Sequence, residues 1–112
     1  ELKNRAPAES SAEIKKRVNK ARARQQERFA GTDIASNAGM NTKALNTYCV
    51  LTPECEELMR QAFDSMGLTA RSYDRILRVA RTIADLEGAE DIGAEHIAEA
   101  IQYRTYDFRD GL

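Results

Sequence analysis

An arginine near the start of a helix is the residue in this chain most clearly placed to do chemistry. Gly67 is a turn residue, Thr69 is a good helix cap, and Arg71 falls in the first turn that follows. A helix N-terminus carries partial positive charge and unpaired N–H groups, so it disfavours a cation by roughly 0.3–1 kcal/mol and attracts anions. A guanidinium fork also matches phosphate oxygens. We therefore predict that Arg71 binds a phosphate group, with Thr69 as the cap of its helix.

Two further arginines, Arg75 and Arg78, lie one and two turns beyond Arg71 on the same helical stripe. Asp74 precedes Arg78 by four residues, and oppositely charged pairs at that spacing are common on exposed helix faces. The pattern therefore favours ion pairs with nearby acids for Arg75 and Arg78, including a solvent-facing pair between Asp74 and Arg78.

The rest of the sequence lacks the motifs of a self-sufficient active site. It has no Gly-x-x-x-x-Gly-Lys-Ser/Thr phosphate loop and no Gly-x-Gly-x-x-Gly fingerprint. The single histidine, His96, stands near a helix start outside any catalytic pattern, and we predict that it is a surface residue. Cys49 and Cys55 have no zinc-site spacing and no second pair, so we predict two buried free thiols. Neither a free-standing enzyme nor a metal site is expected.

Charge is divided unevenly along the chain. Residues 1–52 hold ten Lys and Arg against five Asp and Glu, residues 53–112 hold seven against thirteen, and the net charge is −1. This polarity could orient the domain on a charged assembly, or it could reflect two solvated faces. Lys16, Lys20 and Arg24 on the first helix form a candidate nucleic-acid or docking surface. That helix has Phe29 as its one aromatic residue, so a solvated helix, or one docked on an acidic part of the same protein, is favoured.

Helical periodicity predicts an all-α fold, a small bundle of four to five helices. The predicted helices run from a capping box at Ser10 and Glu13 to about Phe29, from Asn41 or Thr42 to Tyr48, from Thr52-Pro53 to Gly67, from Thr69 to Gly88, and from Gly93-Ala94 to about Arg104. Residues 1–9 are predicted to be a linker, residues 10–105 the helical domain, and residues 106–112 a tail.

Apolar residues at helical spacing predict which faces are buried. The predicted inward residues are Leu58, Ala62, Phe63 and Met66 on the third helix, Tyr73, Ile76, Leu77, Ala80, Ile83 and Ala84 on the fourth, and Ile97, Ala100, Ile101 and Tyr103 on the last. The first helix has only a narrow apolar stripe, so it is expected to lie across a surface.

The run from Thr69 to Leu86, Thr-Ala-Arg-Ser-Tyr-Asp-Arg-Ile-Leu-Arg-Val-Ala-Arg-Thr-Ile-Ala-Asp-Leu, resembles the C-terminal helical lid of magnesium-chelatase-like AAA+ ATPases, in particular their competence-protein branch. The likeness covers roughly residues 9–105. The family's sensor-2 motif, Ser-x-Arg, matches Thr69, Ala70 and Arg71, with threonine in place of serine. By this resemblance, Arg71 contacts the γ-phosphate of ATP, either in its own subunit or in the neighbouring one.

The resemblance also explains the missing motifs. It implies that a phosphate loop, an acidic magnesium-binding motif and an arginine finger precede residue 1, so that ATP and Mg²⁺ are bound by the parent protein. The implied partners are its own AAA+ core and the neighbouring subunits of a hexameric ring. DNA is an expected partner of the parent, because the competence-protein branch is associated with DNA branch migration.

Other features of the sequence bear on location and on alternative functions. No apolar run is long enough to span a membrane and no signal-peptide pattern opens the chain, so no membrane partner and a cytoplasmic location are expected. Two alternatives stay open. One is a helical nucleic-acid- or protein-binding module led by residues 10–29, and the other is a purely structural oligomerisation element.

Overall fold

The computed structural model describes the backbone of residues 10–110 and the side chains of residues 10–103. The described residues form five α-helices, one short 3-10 helix and no strand, which confirms the all-α prediction. The α-helices are α1 (Ser11–Arg28), α2 (Thr42–Tyr48), α3 (Pro53–Met66), α4 (Ala70–Glu87) and α5 (Ala94–Asp110), and the 3-10 helix (Asn37–Gly39) lies between α1 and α2. None of these helices combines the length and apolar composition that a bilayer crossing requires.

Only part of the predicted end segments lies within the described residues. The proposed linker, residues 1–9, lies outside the described residues. The proposed tail begins at residue 106, but the backbone of α5 stays helical to Asp110, past the point where the apolar pattern of the sequence ends. The last helix is therefore longer than its periodicity indicates.

Side-chain caps set the helix starts where the sequence predicts them. Ser10 Oγ accepts a hydrogen bond from the N–H of Glu13 at 3.1 Å, and Glu13 Oε1 accepts one from the N–H of Ser10 at 3.4 Å. This reciprocal capping box satisfies two of the backbone donors that a helix start leaves unpaired. Asn41 and Thr52 cap α2 and α3 through similar bonds at 2.9 and 3.2 Å.

Glycine ends α3 and α4, again as predicted. Gly67 and Gly88 have φ angles of 66° and 80°, in the left-handed region that strains residues with a Cβ atom. At the second of these ends, Arg24 of α1 donates a hydrogen bond from Nη2 to the carbonyl oxygen of Gly88 at 3.1 Å. A cation is favoured there because the C-terminus of α4 carries partial negative charge.

The core is built around α4, which packs against α1, α2, α5 and the 3-10 helix. Its apolar stripe is confirmed, since most of the predicted residues are buried and Tyr73 is half-buried. The large apolar side chains that are almost fully buried are Met40, Leu45, Met59, Ile76, Ile92 and Ile97. By contrast, α1 buries only Ala21 among its described side chains, in agreement with its predicted surface position.

Both cysteines are buried and free, as predicted. Burial raises the pKa of the Cys49 thiol to about 11, although the nearby guanidinium groups of Arg81 and Arg28 act in the opposite direction. This thiol therefore stays protonated at neutral pH and behaves as a small apolar side chain.

Three residues predicted to face the core are exposed instead. Phe63 and Met66 of α3 are 41% and 40% exposed, and Tyr103 of α5 is 48% exposed. The face that α3 buries holds Cys55, Met59 and Ala62, because α3 packs chiefly against α5. The predictions for Phe63, Met66 and Tyr103 were wrong, because the face that a helix buries depends on its neighbour and not on apolar spacing alone.

Candidate phosphate-binding cleft

Arg71 lies on the wall of a cleft between α1, α4 and α5. The cleft has a volume of about 690 Å³, within the range of sites that bind small molecules. Its lining is Arg17, Ala38, Arg71, Arg75, Arg78, Val79, Thr82, Ile83, Leu86, Glu87, Glu99 and Tyr103. The row of arginines predicted on α4 therefore faces a concavity and not an open convex surface.

The start of α4 presents Arg71 as the sequence predicts. Thr69 Oγ1 accepts a hydrogen bond from the N–H of Ser72 at 3.1 Å, so the cap is formed. Arg71 is the second residue of the helix and is exposed. Within the part of the chain that the structure describes, its guanidinium has no hydrogen-bond or ion-pair partner. All its donors remain available to a ligand.

Arg78 is held differently from the prediction. Its Nε donates a hydrogen bond to the carbonyl oxygen of Met40 at 3.0 Å, and the side chain is half-buried. Among the described residues it forms no ion pair with Asp74, so the predicted solvent-facing pair was wrong. The reason lies in the tertiary structure, because the 3-10 helix brings Met40 against the same face of α4.

Sequence reasoning missed Arg17 as a member of this cleft. It belongs to the basic helix α1, whereas the other three arginines belong to α4, and all four line one cavity. No signal in the sequence identifies Arg17 among the basic residues of α1, because its position depends on how α1 packs against α4.

Acidic residues also line the cleft, and one of them is bound by the histidine. His96 is 2% exposed, so the prediction of a surface residue was wrong. The backbone N–H of Gly93 donates to His96 Nδ1 at 2.8 Å, and His96 Nε2 lies 2.8 Å from Glu87 Oε1. Since Nδ1 accepts a hydrogen bond, the proton of the neutral ring is on Nε2, which donates to Glu87. His96 thereby satisfies the N–H of Gly93, the residue before α5, and links the start of α5 to Glu87 at the end of α4.

The same contacts argue against a metal ion at this position. Glu87, Glu95 and His96 offer ligand atoms within 4.8 Å of one another. A metal ligand, however, needs a lone pair on the ring nitrogen that faces the ion. Here Nε2 faces the carboxylates and carries the proton, because Nδ1 accepts from Gly93. The cluster is better suited to capping α5 than to holding a cation.

The candidate nucleic-acid surface on α1 is divided by the structure. Lys16 and Lys20 are exposed, whereas Arg24 is half-buried and bonded to Gly88. The structure therefore assigns Arg24 to the end of α4 and leaves the two lysines on the outer face of α1.

Comparison with known proteins identifies close relatives. The sequence profile described as "Magnesium chelatase, subunit ChlI C-terminal" matches residues 8–104. The chain is similar to the competence protein ComM of Haemophilus influenzae, at 42% identity over 97 residues, which is 87% of this chain and 18% of that protein. It is also similar to the protein YifB of Salmonella typhimurium, at 39% identity over 99 residues, covering 88% of this chain and 19% of YifB.

A second YifB, from Escherichia coli, is 37% identical over 101 residues, which is 90% of this chain and 19% of that protein. The chain thus spans about a fifth of the length of the relatives it matches. The cleft and its four arginines lie within the matched segment, residues 8–104.

Proposed function

Since this chain belongs to the magnesium chelatase subunit ChlI C-terminal family, we propose that it is the sensor-2 lid of an AAA+ ATPase in which Arg71 contacts the γ-phosphate of ATP. The observation that carries the proposal is the position of Arg71. It is exposed, without a partner among the described residues, and on the wall of a cleft at the start of a capped helix. These are the properties that a phosphate-binding arginine needs.

The remaining parts of the site belong to the parent protein. A phosphate loop and an acidic motif in its AAA+ core bind ATP and Mg²⁺, and the lid closes over the nucleotide of its own or of the neighbouring subunit in a hexameric ring. DNA is the proposed partner of the parent. The chain itself is a non-catalytic part of the ATPase, and its proposed location is the cytoplasm.

The geometry suggests how the lid responds to hydrolysis. A guanidinium fork beside the γ-phosphate stabilises the charge that develops during phosphoryl transfer. Release of that phosphate removes the anion that holds Arg71, so α4 and the helices packed on it become free to shift relative to the core. Arg71 thereby couples the state of the nucleotide to the geometry of the ring.

Replacing Arg71 tests this function in the full-length parent protein. Arg71→Ala is expected to lower ATP turnover by about 10-fold or more, because a hydrogen bond to a charged group contributes about 1.5–3 kcal/mol. Arg60→Ala is the matched control, since Arg60 is an exposed arginine of α3 whose ion pairs among the described residues are with the surface acids Glu57 and Asp64. Turnover within twofold of wild type in a correctly assembled Arg71→Ala ring would rule out the sensor role.

A second candidate function is supported by the exposure of α1. Lys16 and Lys20 lie on its outer face, and only Ala21 of this helix is buried among the described residues. An exposed basic helix suits a polyanion such as DNA. The net charge of −1 and the scarcity of aromatic residues on α1 favour the lid function over this one.

A further inference from the structure

We propose that Arg78 is a second phosphate-binding residue of the cleft, and that the ligand of this cleft is a polyphosphate chain held at two points. The inference rests on the proposed function, because it takes the cleft of Arg71 to be a nucleotide site. It adds a residue that lies two helical turns from the sensor-2 motif and outside it.

The first argument is that Arg78 is oriented before any ligand arrives. Its Nε is bonded to the Met40 carbonyl oxygen at 3.0 Å, and the half-buried side chain lines the cleft. Within the described part of the chain, its two terminal amino groups make no hydrogen bond. A guanidinium fixed through Nε keeps both terminal groups for a bidentate contact with phosphate, and its fixed orientation reduces the entropy lost on binding.

The second argument is the spacing of the two arginines. Arg71 and Arg78 are seven residues apart on one face of α4, which places their Cα atoms about 10.5 Å apart along the helix axis. A chain of phosphates presents several anionic groups in a row, so it can reach both.

The third argument is the apolar part of the cleft. Val79, Ile83 and Leu86 lie beside the arginine row and give the cavity an apolar wall. A ligand with an anionic chain and an apolar ring system uses both parts of such a cavity. A nucleoside triphosphate has this combination, whereas inorganic phosphate has only the anionic part.

A purely structural role for Arg78 has a distinct signature. If its only task were the bond to Met40, the variant Arg78→Gln would retain much of the function, because the glutamine amide can also donate to a carbonyl oxygen. The variant removes the positive charge and the two-pronged donor. The affinity of Arg78→Gln for phosphates therefore distinguishes a phosphate-binding role from a purely structural one, whereas its folding stability does not.

The test is a set of binding measurements on the full-length parent protein. Arg78→Gln is expected to weaken binding of a non-hydrolysable ATP analogue by about 10-fold, to weaken ADP binding less, and to leave adenosine binding unchanged. Arg60→Gln, which replaces an exposed arginine outside the cleft, is expected to match wild type for all three. Binding of the ATP analogue by Arg78→Gln within twofold of wild type would overturn the inference.

The two proposals fail separately in this design. Normal nucleotide affinity in Arg78→Gln with impaired turnover in Arg71→Ala removes the second phosphate contact and leaves the sensor role intact. Weakened affinity in Arg78→Gln with normal turnover in Arg71→Ala keeps the phosphate contact and removes the sensor role.

A labelling experiment on the wild-type protein covers the case in which Arg78→Gln does not fold. An arginine-specific dicarbonyl reagent is applied with ATP, with adenosine and without ligand, and the modified peptides are quantified by mass spectrometry. ATP but not adenosine is expected to slow the labelling of Arg78 several-fold, while Arg60 is labelled equally in all three. Equal labelling of Arg78 with and without ATP would exclude the contact.

Discussion

Asp85 joins α4 to α1 through a pair of hydrogen bonds from Arg28. Its carboxylate is 1% exposed and accepts hydrogen bonds from Arg28 at 2.7 and 2.9 Å and from Asn37 at 2.9 Å. Arg81, one turn earlier on α4, forms an ion pair with it at 3.2 Å. Two buried or half-buried cations and one anion thus share a site next to the core, where each depends on the others for charge compensation.

These contacts set the ionisation of the carboxyl group. Burial by itself would raise the pKa of Asp85, but the hydrogen bonds from Arg28 and Asn37 and the charge of Arg81 outweigh it and hold the pKa below its ordinary value. An acid whose pKa is lowered on folding contributes stability above its unfolded pKa of about 3.9. That contribution is lost as the pH falls through the lower, folded pKa.

Replacing this carboxylate tests the network. Asp85→Asn is expected to reduce the free energy of unfolding by roughly 3–5 kcal/mol at pH 7, because Arg28 and Arg81 would be left without their buried counter-charge. The loss of stability below about pH 4 should also be smaller in the variant than in wild type. Urea unfolding of this chain across pH measures both effects.

The control for this prediction is Asp64→Asn, which removes an exposed partner of Arg60 at 3.3 Å. A surface pair of this kind contributes about 0–1 kcal/mol, so this variant should unfold close to wild type. Equal stabilities of Asp85→Asn and wild type would show that the buried network is dispensable.

Helix α4 is the element that brings the candidate site into position, and its first turn depends on one cap. Thr69 bonds to the N–H of Ser72, and Arg71 lies between them. Thr69→Ala is expected to lower the free energy of unfolding by about 1 kcal/mol, since it leaves a helix donor unpaired. It should also speed amide exchange at Ser72, which hydrogen-exchange measurements can follow.

Thr69→Ser is the matched variant for the cap, because it keeps the hydroxyl and removes only a methyl group. It should behave like wild type in both measurements. If Thr69→Ala and Thr69→Ser unfold and exchange alike, the hydroxyl does not hold the first turn and the position of Arg71 does not depend on it.

Local signals explain why the helices could be predicted and some of their faces could not. A cap such as Thr52 or a terminating glycine such as Gly67 acts within a few residues, so its effect can be identified from the sequence. Burial of His96 depends on Gly93 and Glu87 being brought to its ring by the turn before α5. The exposure of Phe63 likewise depends on which face of α3 meets α5, and that information is not local.

The candidate site likewise combines features that one helix determines with features that arise only when the helices pack together. The position of Arg71 on α4 follows from its cap and from helical spacing, both of which are contained in one segment. The cleft exists only because α1 supplies Arg17 and α5 supplies Glu99 opposite that segment. The anchoring of Arg78 requires Met40, 38 residues earlier in the chain. These contacts appear only once the bundle is assembled.

The basic surface of α1 leads to a prediction about the assembled molecule. If α1 contacts DNA, the double variant Lys16→Gln and Lys20→Gln loses two phosphate contacts. The negative slope of log affinity against log salt then becomes less steep by roughly 1.8. A double variant is used because each lysine alone would account for only about half of this change in slope. Arg24 is left unchanged, since it is bonded to the end of α4 and its loss would disturb the fold.

Duplex-DNA binding by this chain over a series of salt concentrations measures that slope, with Lys43→Gln on α2 as a control for loss of an exposed lysine elsewhere. The lid function by itself predicts weak binding and no difference among the three proteins, because a chain with a net charge of −1 has no overall electrostatic attraction to DNA. A steep slope in wild type that is reduced only in the double variant would instead place DNA on α1. In that case the lid would sense nucleotide through α4 and contact DNA through the exposed lysines of α1, the helix that lines the same cleft.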